Sequence, residues 1–244
     1  ILPLQRVGVY VPGGLAAYPS SLLMGVVPAQ VAGVNEIVIT TPSDRQGNVN
    51  PTILATAREV GIYMVYRYGG AHGIAGLAFG TETIARVDKI VGPGNIYVAT
   101  AKKLLYGQVG IDMVAGPSEV VIIADAHAQP EYVAADLLAQ AEHDELASSI
   151  LITHSPQLAE SVRDAVVDQV SRQPRKEIIT ASLQNFGGIL VTESLDQSIE
   201  LCNRLAPEHL GLHLQDAWEL LGRLNTAGAI FIGSYSPETV GDYW

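Results

Sequence analysis

The chain has 244 residues, 48% of them hydrophobic, enough to bury a substantial core as one large α/β unit or two modest domains, which excludes a disordered chain. Its formal charge of −11, from 14 basic and 25 acidic residues with no Lys/Arg cluster, argues against nucleic acid and anionic membrane surfaces as partners; it is compatible with a cationic small substrate and equally with ordinary solubility. The single cysteine, Cys202, excludes an internal disulfide framework and fits a reducing compartment, and no apolar run approaches the roughly 20 residues of a membrane span.

Val7 to Val11 (VGVYV) is a short apolar run closed by Pro12, Gly13 and Gly14, the pattern of a buried strand entering a turn. Tyr18 to Ala32 reads as a helix, with Pro19 at its start and apolar spacing through Leu22, Val26, Val27 and Val31. A strand at Glu36 to Thr40, a helix from about Pro51 to Val60 and a strand at Ile62 to Tyr66 follow, and the alternation continues through GGAHGIAGLAFGT to the strand VDKIV. Gly92 to Asn95 then turns tightly into the helix IYVATAKKLLYG. Backbone N–H groups of such a turn can meet a phosphate, but the third glycine of G-x-G-x-x-G is missing, and the glycines equally serve the turn alone.

A second series begins near Asp112. It runs through the turn Gly116 to Glu119, a strand at Val120 to Ala124, a helix from Pro130 to His143, the strand SSILIT and an amphipathic helix from Gln157 to Arg172. A polar stretch around Pro174 to Lys176 leads to the strand GGILV, a helix from Ser194 to Arg204, the strand LGLHL, a helix from Asp216 to Leu224 and the strand AIFIG. The expected fold class is therefore α/β, as two incomplete Rossmann-like units with largely parallel sheets covered by helices on both faces; residues 1–115 form the first and 116–244 the second. The halves share architecture without a convincing sequence repeat.

Three places carry chemistry. In DLLAQAEHD, Gln140 and His143 stand three apart, a spacing that puts both side chains on one helix face, where they offer donors to a metal but more commonly serve as a surface glutamine and a histidine compensating the helix end. In APEHL, Glu208 and His209 offer two groups able to move protons, or a solvated loop pair. In the terminal GSYSPETVGDYW, Asp242 follows a strand's carboxyl end, where ligand sites of open α/β sheets collect, although an Asp in a turn needs no function. Cys202 lies among Ile199, Leu201 and Leu205, the pattern of an inert buried thiol rather than a nucleophile.

Taken together and in order, YVPGG, VDKIVGPGN, AGPSEVVIIAD, DLLAQAEHD, APEHL and SPETVGDY resemble the histidinol dehydrogenases, from about Val7 to the last residue. The resemblance implies a zinc- and NAD-dependent oxidation of L-histidinol to L-histidine through L-histidinal, with two NAD, as the last steps of histidine biosynthesis. It implies zinc ligands at Gln140, His143 and Asp242, which with Ser118 and His209 also hold substrate, and a catalytic pair at Glu208 and His209. NAD contacts are implied at Tyr10, Asn95 and the position of His72, where the family carries glutamine and histidine can still donate or accept one hydrogen bond. The first unit is thereby expected to bind NAD and the second to bind zinc and substrate.

The resemblance further implies a cytoplasmic (in a plant, plastid) homodimer. The chain reads as an internal segment, with an N-terminal extension before it and beyond GDYW a tail that supplies another zinc-ligand histidine and substrate-binding His and Glu groups, some reaching the partner's site. A sister zinc- and NAD-dependent alcohol dehydrogenase with another hydroxyl substrate, and a non-catalytic α/β binding protein, are the alternative readings.

Overall fold

The computed structural model describes residues 2–13 and 17–242. It comprises two units, Ile1–Gly116 and Pro117–Trp244, each built on a five-stranded sheet. None of the described helices is long and apolar enough to cross a membrane.

The first unit runs β1 (Arg6–Tyr10), α1 (Pro19–Val31), β2 (Glu36–Thr40), α2 (Pro51–Glu59), β3 (Val65–Tyr66), α3 (Gly70–Phe79), β4 (Lys89–Val91), α4 (Ile96–Leu105) and β5 (Gly110–Ile111). The strands are all parallel, in the order β3-β2-β1-β4-β5. Side chains alternate along a strand, so Val7, Val9 and Val11 join Leu22, Val26, Ile37 and Ile53 in one core layer, while Tyr10 joins Ile74, Leu77, Ile90 and Val98 in the other. Both faces are thus buried, which is why these strands read as continuous apolar runs.

The second unit runs β6 (Glu119–Ala124), α5 (Pro130–Ala141), β7 (Ser148–Thr153), α6 (Pro156–Val170), α7 (Lys176–Phe186), β8 (Gly187–Val191), α8 (Leu195–Leu205), β9 (His209–His213) and β10 (Ala229–Ile232). Short 3-10 helices cover Ala217–Arg223 and Glu238–Asp242. Read from the β8 edge, the parallel order β8-β7-β6-β9-β10 repeats the winding of the first unit: two strands laid down to one side, then two to the other. One layer packs Val120, Ile122, Val133, Leu137 and Leu158 under α5 and α6. The opposite layer gathers Val121, Ile123, Ile199, Cys202 and Leu210 under α8.

The elements depart from the sequence reading in several places, among them β3, which keeps only Val65–Tyr66 of the expected Ile62 to Tyr66. Helix α7 grows out of what read as a polar connection; its helical state comes from docking, with Ile179 packed against Leu138 and Ala141 of α5 and the Ser182 hydroxyl donating to the Ala147 carbonyl at 2.8 Å. Residues 217–223 form a 3-10 helix where an α-helix was expected, Gly222 lying within that short span. Strand β5 is too short to announce itself. Helix α5 stops at Ala141, two residues before the expected His143.

Candidate active site

Helix α5 is positioned by Pro130 in its first turn, by Val133 and Leu137 packed against the sheet, and by Leu138 and Ala141 packed against α7. That docking buries Gln140 to 1% exposure in the last turn. Its Oε1 lies 3.4 Å from Nδ1 of His209, and its Nε2 is buried without a protein partner. His143 lies past the helix end; its backbone amide donates to the Gln140 carbonyl at 3.2 Å and its ring is exposed. Glu142 between them keeps helical dihedrals (φ −75°, ψ −13°) and donates to the Leu138 carbonyl at 3.0 Å, so the chain carries its turn on to His143 beyond the last helical residue, Ala141.

Glu208 and His209 are delivered by a sharp reversal at the end of α8. Ala206, its C-cap, takes the left-handed conformation (φ 51°, ψ 58°), and buried Pro207 fixes the next step. His209 is then the first residue of β9 rather than a loop residue, and a Glu208 carboxylate oxygen accepts from the Glu119 amide at 3.3 Å, beside Ser118. The half-buried Ser118 is tied at its carbonyl, which accepts from the Ser148 amide at 3.0 Å. His209 meets the Phe231 ring edge-on at 5.9 Å, and its Nδ1 lies 3.5 Å from Oε2 of Glu238, a carboxylate only 7% exposed. The Glu238 carboxylate accepts rather than donates, so it favours the ring proton at Nδ1 and leaves the Nε2 lone pair for chemistry, whichever way the Gln140 amide is turned. Glu238 was missed in the sequence; its only signal was a carboxylate in the SPETVGDY block, one helical turn before Asp242.

These groups share one edge of the sheet. Ser118 precedes β6, Glu208 and His209 open β9, and Gln140 ends α5, so all lie at the amino ends of the parallel strands. Ligand sites of open α/β sheets collect at the carboxyl ends, whereas these four groups lie at the other edge. The side chain of Asp242 lies outside the described residues.

In the first unit the candidates obey that rule. Tyr10 closes β1 opposite Thr40 of β2, at the point where the winding reverses between β1 and β4. Its hydroxyl accepts from the Gly70 amide at 3.0 Å, and burial raises its pKa above the ordinary tyrosine value, the Gly70 bond opposing. His72 lies exposed in the first turn of α3. Asn95 caps α4, its side chain accepting from the Val98 amide at 3.2 Å. A cavity of about 680 Å³ opens between α1 and β4, with Met24, Pro28, Val91, Gly92 and Asp112 in its wall. Another of about 580 Å³ lies at Tyr66, Arg67, Tyr68, Ser43 and Gln46.

Among the described residues no three His, Cys, Asp or Glu side chains gather as a metal-binding group. The donor set nevertheless fits an oxygen- and nitrogen-ligated ion at Gln140. Its amide is buried with one end unpartnered, and turning the amide over leaves an oxygen there instead of a nitrogen. An exposed imidazole stands just past the same helix end at His143.

Comparison with known proteins bears on the whole chain. The family model described as histidinol dehydrogenase matches residues 1–244. The histidinol dehydrogenase of Moorella thermoacetica is 56% identical over 241 residues, 99% of this chain and 57% of its own length. The crystal structure of histidinol dehydrogenase from Elizabethkingia anophelis superposes with a TM-score of 0.92 at 44% identity, covering 99% of this chain and 56% of that one. An acetylating aldehyde dehydrogenase from Geobacillus thermoglucosidasius shares the fold alone, with a TM-score of 0.64 at 11% identity over 99% of this chain and 67% of its own. The chain thus spans little more than half the length of the curated relatives it matches. On the full-length family match and these identities, the chain belongs to the histidinol dehydrogenase family.

Proposed function

We propose that the protein carrying this chain oxidises L-histidinol to L-histidine through L-histidinal, as a zinc- and NAD-dependent homodimer whose C-terminal tail completes the site. The observation that carries this reading is the buried Gln140 amide, one end unpartnered and the other beside His209 at the sheet edge that holds Glu208. Gln140, His143 and Asp242 would hold the zinc, which when bound supplies a grip on substrate nitrogens and polarisation of the carbinol oxygen. Tyr10, His72 and Asn95 of the first unit would hold NAD, which when bound would supply the hydride acceptor for both oxidations.

The chain's own side chains do the rest. Ser118 and Gln140 fix the substrate beside His209. His209 Nε2 takes the hydroxyl proton as hydride leaves the carbinol carbon, with Nδ1–H held toward Glu238. Glu208, anchored on the Glu119 amide, removes a proton from the water that adds to the aldehyde; the resulting diolate then gives up the second hydride and leaves as the carboxylic acid. Phe231 covers one side of the imidazole and limits its access to water.

In the full-length protein, His209→Asn is expected to lower histidinol-dependent NADH formation by about 10²–10⁴-fold while zinc content by metal analysis stays near wild type. Activity retained within a few-fold would remove the base assignment. Glu208→Gln is expected to slow histidinal oxidation more than histidinol oxidation, measured separately with each substrate; equal losses in both refute water activation by Glu208.

A further inference from the structure

We propose that Lys102 and Asp112 are positioning residues for the dinucleotide, clamping the Gly92–Asn95 turn in the shape that receives it; this rests on the assignment of NAD to the first unit. Lys102, on α4, is only 3% exposed. Its ammonium donates to the Gly92 carbonyl at 3.0 Å and forms an ion pair with Asp112. The other Asp112 oxygen accepts from the Gly92 amide at 2.8 Å. Both backbone groups of one residue are therefore held by the two ends of one ion pair.

The residue so held has no freedom to spare. Gly92 sits at φ +112°, and a Cβ there would come within 2.1 Å of the Tyr10 carbonyl oxygen. At Gly94 a Cβ would meet Val98 at 2.5 Å, so the turn is pressed against β1 on one side and α4 on the other. Next comes Asn95, which caps α4. The clamp consequently fixes the distance between Tyr10 and Asn95, the two family NAD positions that flank the reversal of the sheet.

A turn needing only to be stable would be served by neutral hydrogen bonds, because a buried ion pair gains little over an apolar replacement; what it adds is one preferred geometry. Gly92, Pro93 and Asp112 also form part of the wall of the 680 Å³ cavity, so the clamp shapes a surface that a ligand can reach. Asp112 is the more accessible partner, its side chain 27% exposed against 4% for Lys102.

The test uses the full-length protein and calorimetric titration with NAD. Lys102→Met alone strands a carboxylate, so the neutral double variant Lys102→Met/Asp112→Asn is the main probe, with Lys102→Arg as the conservative control. The double variant is expected to weaken NAD binding by about tenfold or more and to raise KM for NAD in parallel, with KM for histidinol and zinc content unchanged. Lys102→Arg keeps a buried cation with donors and should retain binding within about threefold of wild type. A folded double variant that binds NAD within about twofold of wild type overturns the clamp. Should that variant not fold, Asp112→Glu decides: it keeps the charge but moves the carboxylate, and unchanged NAD affinity there overturns the proposal. Failure of the wild-type protein to bind NAD overturns the cofactor reading itself, and is told apart because no variant is needed to see it.

Discussion

Ala206 is, among the described residues, the one non-glycine residue with positive φ. An L-residue in the left-handed region costs about 1–2 kcal/mol, and the cost falls at the step that turns α8 into Pro207, Glu208 and His209. Ala206→Gly relieves that strain while adding freedom to the unfolded chain, so stability by urea denaturation should stay level or rise by up to about 1 kcal/mol. The same substitution at the exposed Ala135, inside α5, should lower it by about 1 kcal/mol. Equal losses at both positions would show that Ala206 is not strained. The left-handed step was invisible in APEHL, since alanine advertises nothing of it. Nor could the sequence pair Glu238 with His209: the two come together only when the chain after β10 returns across the sheet.

At the scale of elements, β9 and α5 are tied twice. Val120 and Ala124, which face α5, pair in register with His209 and His213, so both imidazoles face that helix. His213, 2% exposed, contacts Asp136 through Nε2 at 3.0 Å, one turn of α5 before Gln140 meets His209. With the proton on Nε2, the buried Nδ1 of His213 is an acceptor without a donor, a site of low tolerance for change. Asp136→Ala should destabilise the protein by about 1–3 kcal/mol and Asp136→Asn by less, in urea titrations. A double-mutant cycle with His213→Ala should return a coupling of about 0.5 kcal/mol or more; additive effects would remove the tie. Half of this arrangement was legible. The apolar spacing of PEYVAADLLAQA set α5 and its buried face correctly, but the packing of Leu138 and Ala141 against Ile179 of α7 left no mark in it, because α7 itself read as a polar connection.

For the molecule as a whole, the alternation of apolar strands and amphipathic helices sufficed to give two parallel α/β units, because strands buried on both faces leave unbroken apolar runs. The order of strands in space, and with it the edge on which a site forms, leaves no local mark. Cys202 illustrates a residue read correctly from its neighbours: it is 1% exposed in the α8 layer, and burial pushes its thiol up from 9.0 to about 11. Because the folded state holds this proton more tightly than the unfolded chain, the associated stability is fully present below pH 9 and is lost as pH rises toward 11. The urea midpoint of wild type should therefore fall more steeply between those values than that of Cys202→Val. Identical pH profiles would mean that the thiol titrates alike in both states.

The two units place their candidate groups at opposite ends of their own strands, and that choice has an electrostatic meaning. Peptide dipoles add along a helix to leave partial positive charge at its start and partial negative charge at its end. In these parallel sheets helices begin at the carboxyl edge and finish at the amino edge. Tyr10, His72 and Asn95 stand where α3 and α4 begin, a place that favours an anion such as a dinucleotide's diphosphate. Gln140 and His143 stand where α5 ends, a place that favours a cation, whether a divalent ion or the ammonium group of an amino alcohol. One winding used twice thus supplies fields of both signs, selected by the edge that is put to work and before any charged side chain is counted.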